Sequence, residues 1–402
     1  MRTYIKFSVF GLLLLLLFHF ESLSLGPVKI SHLWKGILLL FLIIKILSKK
    51  RNNLLIYKPL IWLALFQLIN LELFNNPFNA AILFGTTLIL PLLGIYTLSY
   101  TPNQLKNGLL FFASFFILSF VPYELGILKS LEEGYRLTSY GVQDSDGVIG
   151  PFQTVHSAST ALAGSFITLL YFWFTKSFNR IYLSTLLILC FYFLIFTYVR
   201  TGMAMVVLGA IPMLIYFAKK EASTRFRLIF FGSIFSILIS GWVLSNETLM
   251  DRITGNRVSG ASETESFESL GSGRGLIYTF AVEIFMEANV FEKLIGIGQT
   301  EQKSRMENKL GSALIPHNGF LLLLLNNGLI GLMLFLTFIR KLNKLISQYA
   351  PSHRSLLKGL LYAYLVMTFF QNYDMIYMYL ILALGIALTY KINIHTKYST
   401  IK

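Results

Sequence analysis

The chain is poor in cysteine, in acidic residues and in charge of either sign. Its 402 residues include one cysteine, Cys190, so no disulfide can form within the chain. Cys190 lies in an apolar run, where a thiol acts as a small hydrophobe and not as a catalytic nucleophile. Only 13% of the residues are charged, against about 25% in soluble globular domains, and 55% are hydrophobic. This composition excludes an ordinary soluble domain and indicates a polytopic membrane protein.

Signatures of nucleotide binding, serine hydrolysis and metal binding are also absent. The sequence has no G-x-x-x-x-G-K-[ST] loop, so a nucleotide-driven pump is not indicated. It has no G-x-S-x-G elbow of an α/β-hydrolase. The acidic turn "DSDG" at 144–147 lacks the further oxygen ligands of a calcium loop. We therefore predict that the protein uses no cofactor and binds no metal.

Long apolar runs dominate the chain instead. A membrane-spanning helix needs about 20 mostly apolar residues. The first run follows basic residues, as in a signal peptide, but no A-x-A-like site follows it, so we predict that it is retained as a span. The predicted fold is all-α, a polytopic transmembrane helical bundle of about 12 spans that forms a single integral membrane domain over 1–402. The predicted spans are 5–20, 33–48, 54–73, 79–99, 105–125, 152–175, 181–199, 201–218, 228–245, 317–338, 356–372 and 375–391.

Basic residues mark one side of this predicted bundle. The segments "SKKRNN", "TKSFNR", "AKKEASTRFR" and "RKLNK" fall between spans on the same side, and Glu221 is the one acid assigned there. An excess of Lys and Arg on the cytoplasmic side orients membrane proteins. The pattern predicts a multi-pass protein with both termini in the cytoplasm. The net charge of +15 is then a topology signal, which favours contact with membrane lipids over binding of nucleic acid.

Two long segments fall on the opposite, outer side. They are an outer loop at 126–151 and a large outer (periplasmic or extracellular) loop at 246–316. Loops of this length in compact proteins are usually functional or disordered. Within the second loop, Leu276, Phe280, Ile284 and Val290 recur at near-helical spacing. We predict an amphipathic helix at about 274–290.

Two arginines are placed at the outer face. Arg200 lies between two apolar runs, in a hairpin with almost no room for a loop, and its planar guanidinium matches phosphate oxygens. An arginine in that position can also merely snorkel to the surface. Arg274, in "GSGRGLIY", begins the predicted loop helix, where backbone N–H groups and the helix dipole favour an anion. It can equally be a solvated loop arginine.

A histidine opens the span at 317–338. His317 follows Pro316, a residue suited to the first turn of a helix, so we predict that the helix begins there. At 100° per residue the histidine would share a face with Gly328 and point into the bundle. A structural buried histidine is the alternative. Asn318 can cap the helix or bind a ligand, whereas Asn326–Asn327 are predicted to be interhelical hydrogen-bond partners.

A second histidine lies at the outer end of another span. His156 is part of "GPFQTVHSAST", whose first two turns are unusually small and polar. Ionisable residues at membrane depth are costly and usually mark a functional site. The segment therefore predicts a cavity wall, with the role of His156 left open.

Arginines and a histidine at the outer mouth of a bundle suit transfer from a lipid-linked diphosphate. Negative charge grows on the diphosphate as the sugar–phosphate bond breaks, and arginines can stabilise it where many transferases use a metal ion. The acceptor hydroxyl must lose a proton, and a histidine suits general-base work near neutral pH.

Three motifs in order resemble the bacterial O-antigen ligase/polymerase family. They are "YVRTGMAMVVLGAI", "GSGRGLIY" followed by "IGIGQ", and "IPHNGFLLLLLNNGLIGLMLF". This core covers 198–336, and "GPFQTVHSAST" is similar to an earlier outer segment of the family. Val199 departs from the pattern, since the family often has serine before the arginine.

The resemblance implies a metal-independent glycosyltransferase of GT-C-like architecture in the bacterial cytoplasmic (inner) membrane. Its donor would be an undecaprenyl-diphosphate-linked glycan, and its active site would face outward. By the matching residues, Arg200 and Arg274 would bind the diphosphate. His317 would be the catalytic base or would orient the acceptor.

Polymerase, ligase and flippase remain as alternatives. A polymerase joins lipid-linked repeats, whereas a ligase transfers finished glycan to lipid A-core or another acceptor. Arg136 precedes Gly147 by eleven residues, a spacing that resembles one described for polymerases, and this favours a polymerase working with a flippase and a chain-length regulator. Arg136 is also a candidate for contact with the acceptor or for the cavity wall. A lipid-linked oligosaccharide flippase should carry charges along many spans, but here the charges avoid the span interiors.

Overall fold

Apolar helices make up most of the computed structural model, which describes residues 24–25, 28–47, 55–128, 148–152, 154–220, 274–311 and 315–399. Two short strands, β1 (Ser24–Leu25) and β2 (Val28–Lys29), pair antiparallel ahead of the first helix. A 3-10 turn at Leu55–Tyr57 leads into α2. The helices are α1 (Ile30–Leu47), α2 (Lys58–Gln67), α3 (Leu71–Asn75), α4 (Pro77–Thr97), α5 (Pro102–Leu118), α6 (Val121–Glu124), α7 (Val155–Phe174), α8 (Arg180–Phe196), α9 (Arg200–Lys220), α10 (Arg274–Glu287), α11 (Val290–Ile295), α12 (Gln299–Leu310), α13 (Gly319–Ser347), α14 (Pro351–Phe370) and α15 (Ile376–Ser399).

The predicted all-α polytopic bundle is confirmed. Within the described residues, seven helical segments are long and apolar enough to cross a membrane, and α8 is a shorter apolar helix. The predicted spans 5–20 and 228–245 lie outside the described residues, so the total of about 12 stays a prediction. The seven segments are Leu55–Asn75, Pro77–Thr97, Pro102–Glu124, Val155–Phe174, Arg200–Lys220, Gly319–Ser347 and Ile376–Asn393.

The helices α9 and α14 cross in close contact, and α7 packs against both. A Cβ added at Gly359 would lie 2.4 Å from the carbonyl oxygen of Gly209, so the two backbones approach closely. Lipid tails are as apolar as the helices, so the hydrophobic effect does not drive helices together within a membrane. Small residues at such crossings let the backbones approach and strengthen van der Waals packing. The same core buries Cys190, whose Sγ contacts the Leu162 carbonyl oxygen at 3.2 Å, as expected for a small hydrophobe.

The described part of residues 246–316, which were predicted to form the large outer loop, contains three helices, α10 to α12. The predicted amphipathic helix is present as α10, but it ends at Glu287 because the side chain of Asn289 caps α11. Ile284 is buried as predicted, together with Ala281 on the same face. The prediction for Val290 was wrong: it lies outside α10, as the first residue of α11, and is 76% exposed.

Candidate active site

The start of α7 carries His156 in its first turn. The Thr154 side chain accepts a hydrogen bond from the Ser157 backbone N–H (3.1 Å) and caps the helix, which fixes where it begins. His156 is half-buried, and its Nδ1 lies 3.0 Å from Nε2 of Gln371. Gln371 is buried at the end of α14, and its Oε1 lies 3.5 Å from Thr160 Oγ1. The polar first turns of α7 therefore bind the far end of α14.

His317 lies just before α13 and not within it. The helix begins at Gly319, and Asn318 caps it by accepting hydrogen bonds from two backbone N–H groups of the first turn (3.0 and 3.1 Å). The prediction that the helix begins at Pro316 and turns His317 inward along a glycine face was wrong. A residue outside the helix does not follow helical spacing, and His317 is exposed. Asn318 takes the capping role of its two alternatives.

The two histidines meet at this point. The ring centroids of His156 and His317 are 6.1 Å apart, with their planes inclined by 35°. The hydroxyl of Tyr278 donates a hydrogen bond to the backbone carbonyl of His317 (2.9 Å). Tyr278 lies one turn after Arg274, where α10 begins. The start of the outer-loop helix is thus attached to the segment that carries His317, while the Arg274 side chain lies outside what the structure describes.

Arg200 occupies the first position of α9, after the predicted tight hairpin. Three residues separate α8 from α9, and Tyr198 among them has a positive φ of 55°. In the same turn as Arg200, Gly202 packs so closely on α7 that an added Cβ would lie 2.7 Å from Ser159 Cβ. Ser159 is three residues after His156 in the same helix. Arg200 is exposed, and the Gly202 contact places its helix start beside the first turns of α7.

These contacts gather the starts of α7, α9, α10 and α13 in one neighbourhood. Each helix N-terminus carries roughly half a positive charge, and its first N–H groups can bind an anion. His156 and His317 are in contact there, and Arg200 lies on the adjoining helix start. Arg136, another predicted site residue, lies outside the described residues. The arrangement is chemically suited to an anionic group beside an imidazole.

Two polar residues in the turn between α14 and α15 were not predicted as site residues. Gln371 is the partner of His156, and Asp374 follows it by three residues. Burial raises the pKa of the Asp374 carboxyl above its ordinary value, while the Lys35 ammonium opposes that shift. The signal that could have found them is the run of polar residues "QNYD" between two apolar spans.

The segment that carries α10 to α12 is fixed to the bundle along a contact that we call the outer seam, after the predicted side of this loop, and that is made by residues 70–72, 294–300 and 326–328. Here α13 is broken at Gly328, which has φ 61° and ψ −166°. Gly296 and Gly298 of the loop also have positive φ, at 86° and 82°. This conformation is essentially restricted to glycine. A Cβ on Gly328 would lie 2.3 Å from the Leu294 carbonyl oxygen, so the two backbones touch.

Polar side chains complete the outer seam. Asn70 Nδ2 donates to the backbone oxygen of Asn326 (3.1 Å) and to Oδ1 of Asn327 (3.2 Å), as predicted for interhelical partners. Glu72 is fully buried, and its carboxylate accepts hydrogen bonds from Thr300 N–H (2.9 Å) and Thr300 Oγ1 (2.7 Å). A side chain from α3 therefore caps the start of α12.

Residues 185–336 match the family model described as O-antigen ligase. The chain carries an O-antigen ligase family region. The resemblance drawn from the three motifs is confirmed over that region. Among curated proteins, none matches this chain.

The O-antigen ligase family region contains Arg200, Arg274 and His317, and it leaves His156 before it and Gln371 after it. The match indicates a multi-pass membrane protein of the O-antigen ligase or polymerase type. Such proteins form a membrane glycosyltransferase-like class of enzymes that act on lipid-linked glycan. Residues from outside the family region thus reach a residue within it: His156 contacts His317, and Gln371 contacts His156.

Proposed function

We propose that this protein polymerises glycan repeat units carried on undecaprenyl diphosphate at the outer face of the bacterial cytoplasmic membrane. The observation that carries the proposal is the position of His317. It lies inside the O-antigen ligase family region, at a place where four helices begin. Helix starts favour the negative charge of a diphosphate, and an imidazole beside them can accept a proton.

In the proposed reaction, a hydroxyl oxygen of the acceptor sugar attacks the anomeric carbon of the donor. The bond from that carbon to the diphosphate oxygen breaks, and undecaprenyl diphosphate leaves with the electron pair. His317 takes the proton of the attacking hydroxyl. Arg200, Arg274 and the helix starts stabilise the charge that grows on the diphosphate. Asn318 fixes the start of α13 and thereby the segment that carries His317.

The proposal assigns charge stabilisation to arginines and helix starts and requires neither metal nor ATP. Within the described residues there is no group of three or more His, Cys, Asp or Glu side chains placed to bind a metal ion. We expect transfer by the purified protein to continue in EDTA without added nucleotide. Strict dependence on either would point to another enzyme class.

The polymerase assignment rests on the Arg136–Gly147 spacing. A ligase that transfers glycan to lipid A-core or another acceptor is the second candidate, because the family model is described as O-antigen ligase. Glycan analysis of a deletion strain separates them. Single repeats attached to the final acceptor indicate a lost polymerase, and long chains left on the lipid carrier indicate a lost ligase. Repeat units retained at the inner face would indicate a flippase.

A complemented deletion strain tests the role of His317. We expect His317→Ala to reproduce the deletion phenotype while the protein remains in the membrane at wild-type level. His353→Ala is the matched control, because His353 binds Tyr171 through its Nδ1 (2.6 Å) in a contact between α7 and the start of α14, one helix length from the site. Full glycan transfer by His317→Ala would remove the base assignment.

A further inference from the structure

Thr160, Gln371 and His156 form a chain of polar contacts that we call the relay. All three residues lie outside 185–336, so the family match does not account for them. Thr160 and Gln371 are almost completely buried, at 0% and 1% exposure. Buried polar groups are costly unless they are hydrogen-bonded, and this pair is directed at a histidine that contacts His317. The contact between His156 and Gln371 joins α7 to the end of α14, although the two residues are 215 positions apart in the sequence.

The placement of the Gln371 amide favours one form of the imidazole. Its Nε2 lies 3.0 Å from Nδ1 of His156, and because an amide nitrogen can only donate, this placement favours an Nδ1 that accepts and carries no proton. The Thr160 hydroxyl, which can donate, faces the amide oxygen at 3.5 Å in the same placement. A neutral imidazole then has its proton on Nε2. That nitrogen is on the opposite edge of the ring from Gln371 and is a hydrogen-bond donor.

We propose that His156 is a neutral hydrogen-bond donor, through Nε2–H, to the diphosphate of the lipid-linked donor, and that Gln371 is the residue that positions it. This inference rests on the proposed function. His156 lies in the first turn of α7, where the helix N–H groups favour an anion, and the start of α9 with Arg200 packs on the same turns. His317 and His156 then have different tasks: one accepts the acceptor's proton, and the other binds the leaving group.

Two amide variants of His156 distinguish a hydrogen-bond donor from a group that transfers a proton. In His156→Gln the amide nitrogen falls near the place of Nε2, whereas in His156→Asn it falls near the place of Nδ1. Full-length variants are purified in lipid nanodiscs, and initial rates are measured against the concentration of undecaprenyl-diphosphate-linked repeat. Removing one donor from a developing oxyanion typically lowers kcat by about 10²–10³. We expect that loss for His156→Asn and His156→Ala, and activity within about tenfold of wild type for His156→Gln.

The outcomes are distinct. His156→Gln that is as inactive as His156→Ala, with an unchanged size-exclusion profile, would overturn the donor role in favour of proton transfer. Full activity of His156→Ala would exclude His156 from the site. If the wild-type protein itself fails to transfer glycan from this donor, the proposed function fails and the inference falls with it. If the wild-type protein transfers glycan but His156→Gln is not more active than His156→Asn and His156→Ala, the role of His156 is contradicted while the proposed function stands.

A double-mutant cycle tests the positioning role of Gln371. We expect Gln371→Met to lower kcat about tenfold in the wild-type background, because the His156 ring loses its fixed tautomer and orientation. In the His156→Ala background the same substitution should cost nothing further, since Gln371 acts through His156. An equal loss in both backgrounds would show that Gln371 has a purely structural role.

Discussion

The crossing of α9 and α14 and the outer seam are both close backbone contacts, but they are built from different interactions. At the crossing, Gly209 and Gly359 allow two regular helices to touch among apolar side chains. At the seam, glycines in a conformation closed to other residues bring an irregular loop against a broken helix. Hydrogen bonds of Asn70 and Glu72 complete the seam.

The two contacts differ in what they contribute: the crossing stabilises the bundle, whereas the seam positions the helices α10 to α12. The crossing relies on many small dispersion contacts, which a local change weakens gradually. The seam relies on a few backbone conformations and buried hydrogen bonds, each of which fails as a unit. The seam holds α10 to α12, and α10 in turn holds the His317 segment through Tyr278. A substitution at the seam should therefore lower glycan transfer more than it lowers the stability of the bundle.

The largest effect is expected from Gly328→Ala. The substitution forces a side chain into a glycine-only conformation, at about 1–3 kcal/mol, and its Cβ would overlap the Leu294 carbonyl oxygen. We expect loss of glycan transfer and increased cleavage of the outer loop in limited proteolysis. Gly311→Ala is the control, because Gly311 also has a positive φ (71°) but an added Cβ meets nothing within 4 Å. Equal activity of the two variants would contradict a special role of the seam.

Glu72→Ala should have the next largest effect. It removes the buried carboxylate that accepts hydrogen bonds from the N–H and hydroxyl of Thr300, and each lost hydrogen bond costs about 0.5–1.5 kcal/mol because Thr300 is exposed and water can replace the acceptor. We expect the loop to become protease-sensitive and transfer to fall about tenfold, because the start of α12 detaches from α3. Glu124→Ala serves as control, since Glu124 is exposed and bonds Tyr192 at the surface. Unchanged proteolysis of Glu72→Ala would remove the anchoring role.

Gly359→Ala tests the other half of the comparison. The added methyl group would press on the Gly209 carbonyl oxygen, and overpacking of this kind costs about 1–3 kcal/mol. We expect a lower Tm of the detergent-purified protein with an unchanged kcat for the fraction that remains folded. A variant of normal Tm that has lost transfer would erase the distinction between crossing and seam.

The smallest effect is expected within the outer loop itself. Arg305 binds Glu292 (2.7 Å), and this hydrogen bond lowers the pKa of the Glu292 carboxyl. Because the folded pKa is the lower one, the stabilisation is present at neutral pH and is lost as pH falls below about 4.5 through the lowered value. A partly exposed pair of this kind contributes about 0.2–1 kcal/mol.

Loop proteolysis with an acid-stable protease measures this effect across the pH range. Glu292→Gln should be slightly more sensitive than wild type at neutral pH, and the two should converge in acid. Glu307→Gln, on the exposed side of α12, should match wild type throughout. A difference between wild type and Glu292→Gln that grows in acid would contradict the assigned sign.

Much of the bundle could be predicted, because hydropathy is a local property. The apolar runs marked the helices, and the short gap before Arg200 marked its hairpin. Asn326–Asn327 could be assigned to interhelical bonding, since amides inside an apolar helix need partners. The break at Gly328 could not be predicted, because "NNG" in an apolar run is compatible with a continuous helix. The loop backbone that requires the break is about 30 residues away in sequence.

The sequence by itself determined that the chain is a helical membrane protein with a family region that includes Arg200, Arg274 and His317. Composition and motif order suffice for that, because they need no knowledge of which helices pack together. Only the tertiary structure decided that His317 stands outside its helix, that His156 lies against it, and that Gln371 fixes His156. Those relations depend on contacts between helices distant in the chain, and neither hydropathy nor helical periodicity encodes which helix ends meet.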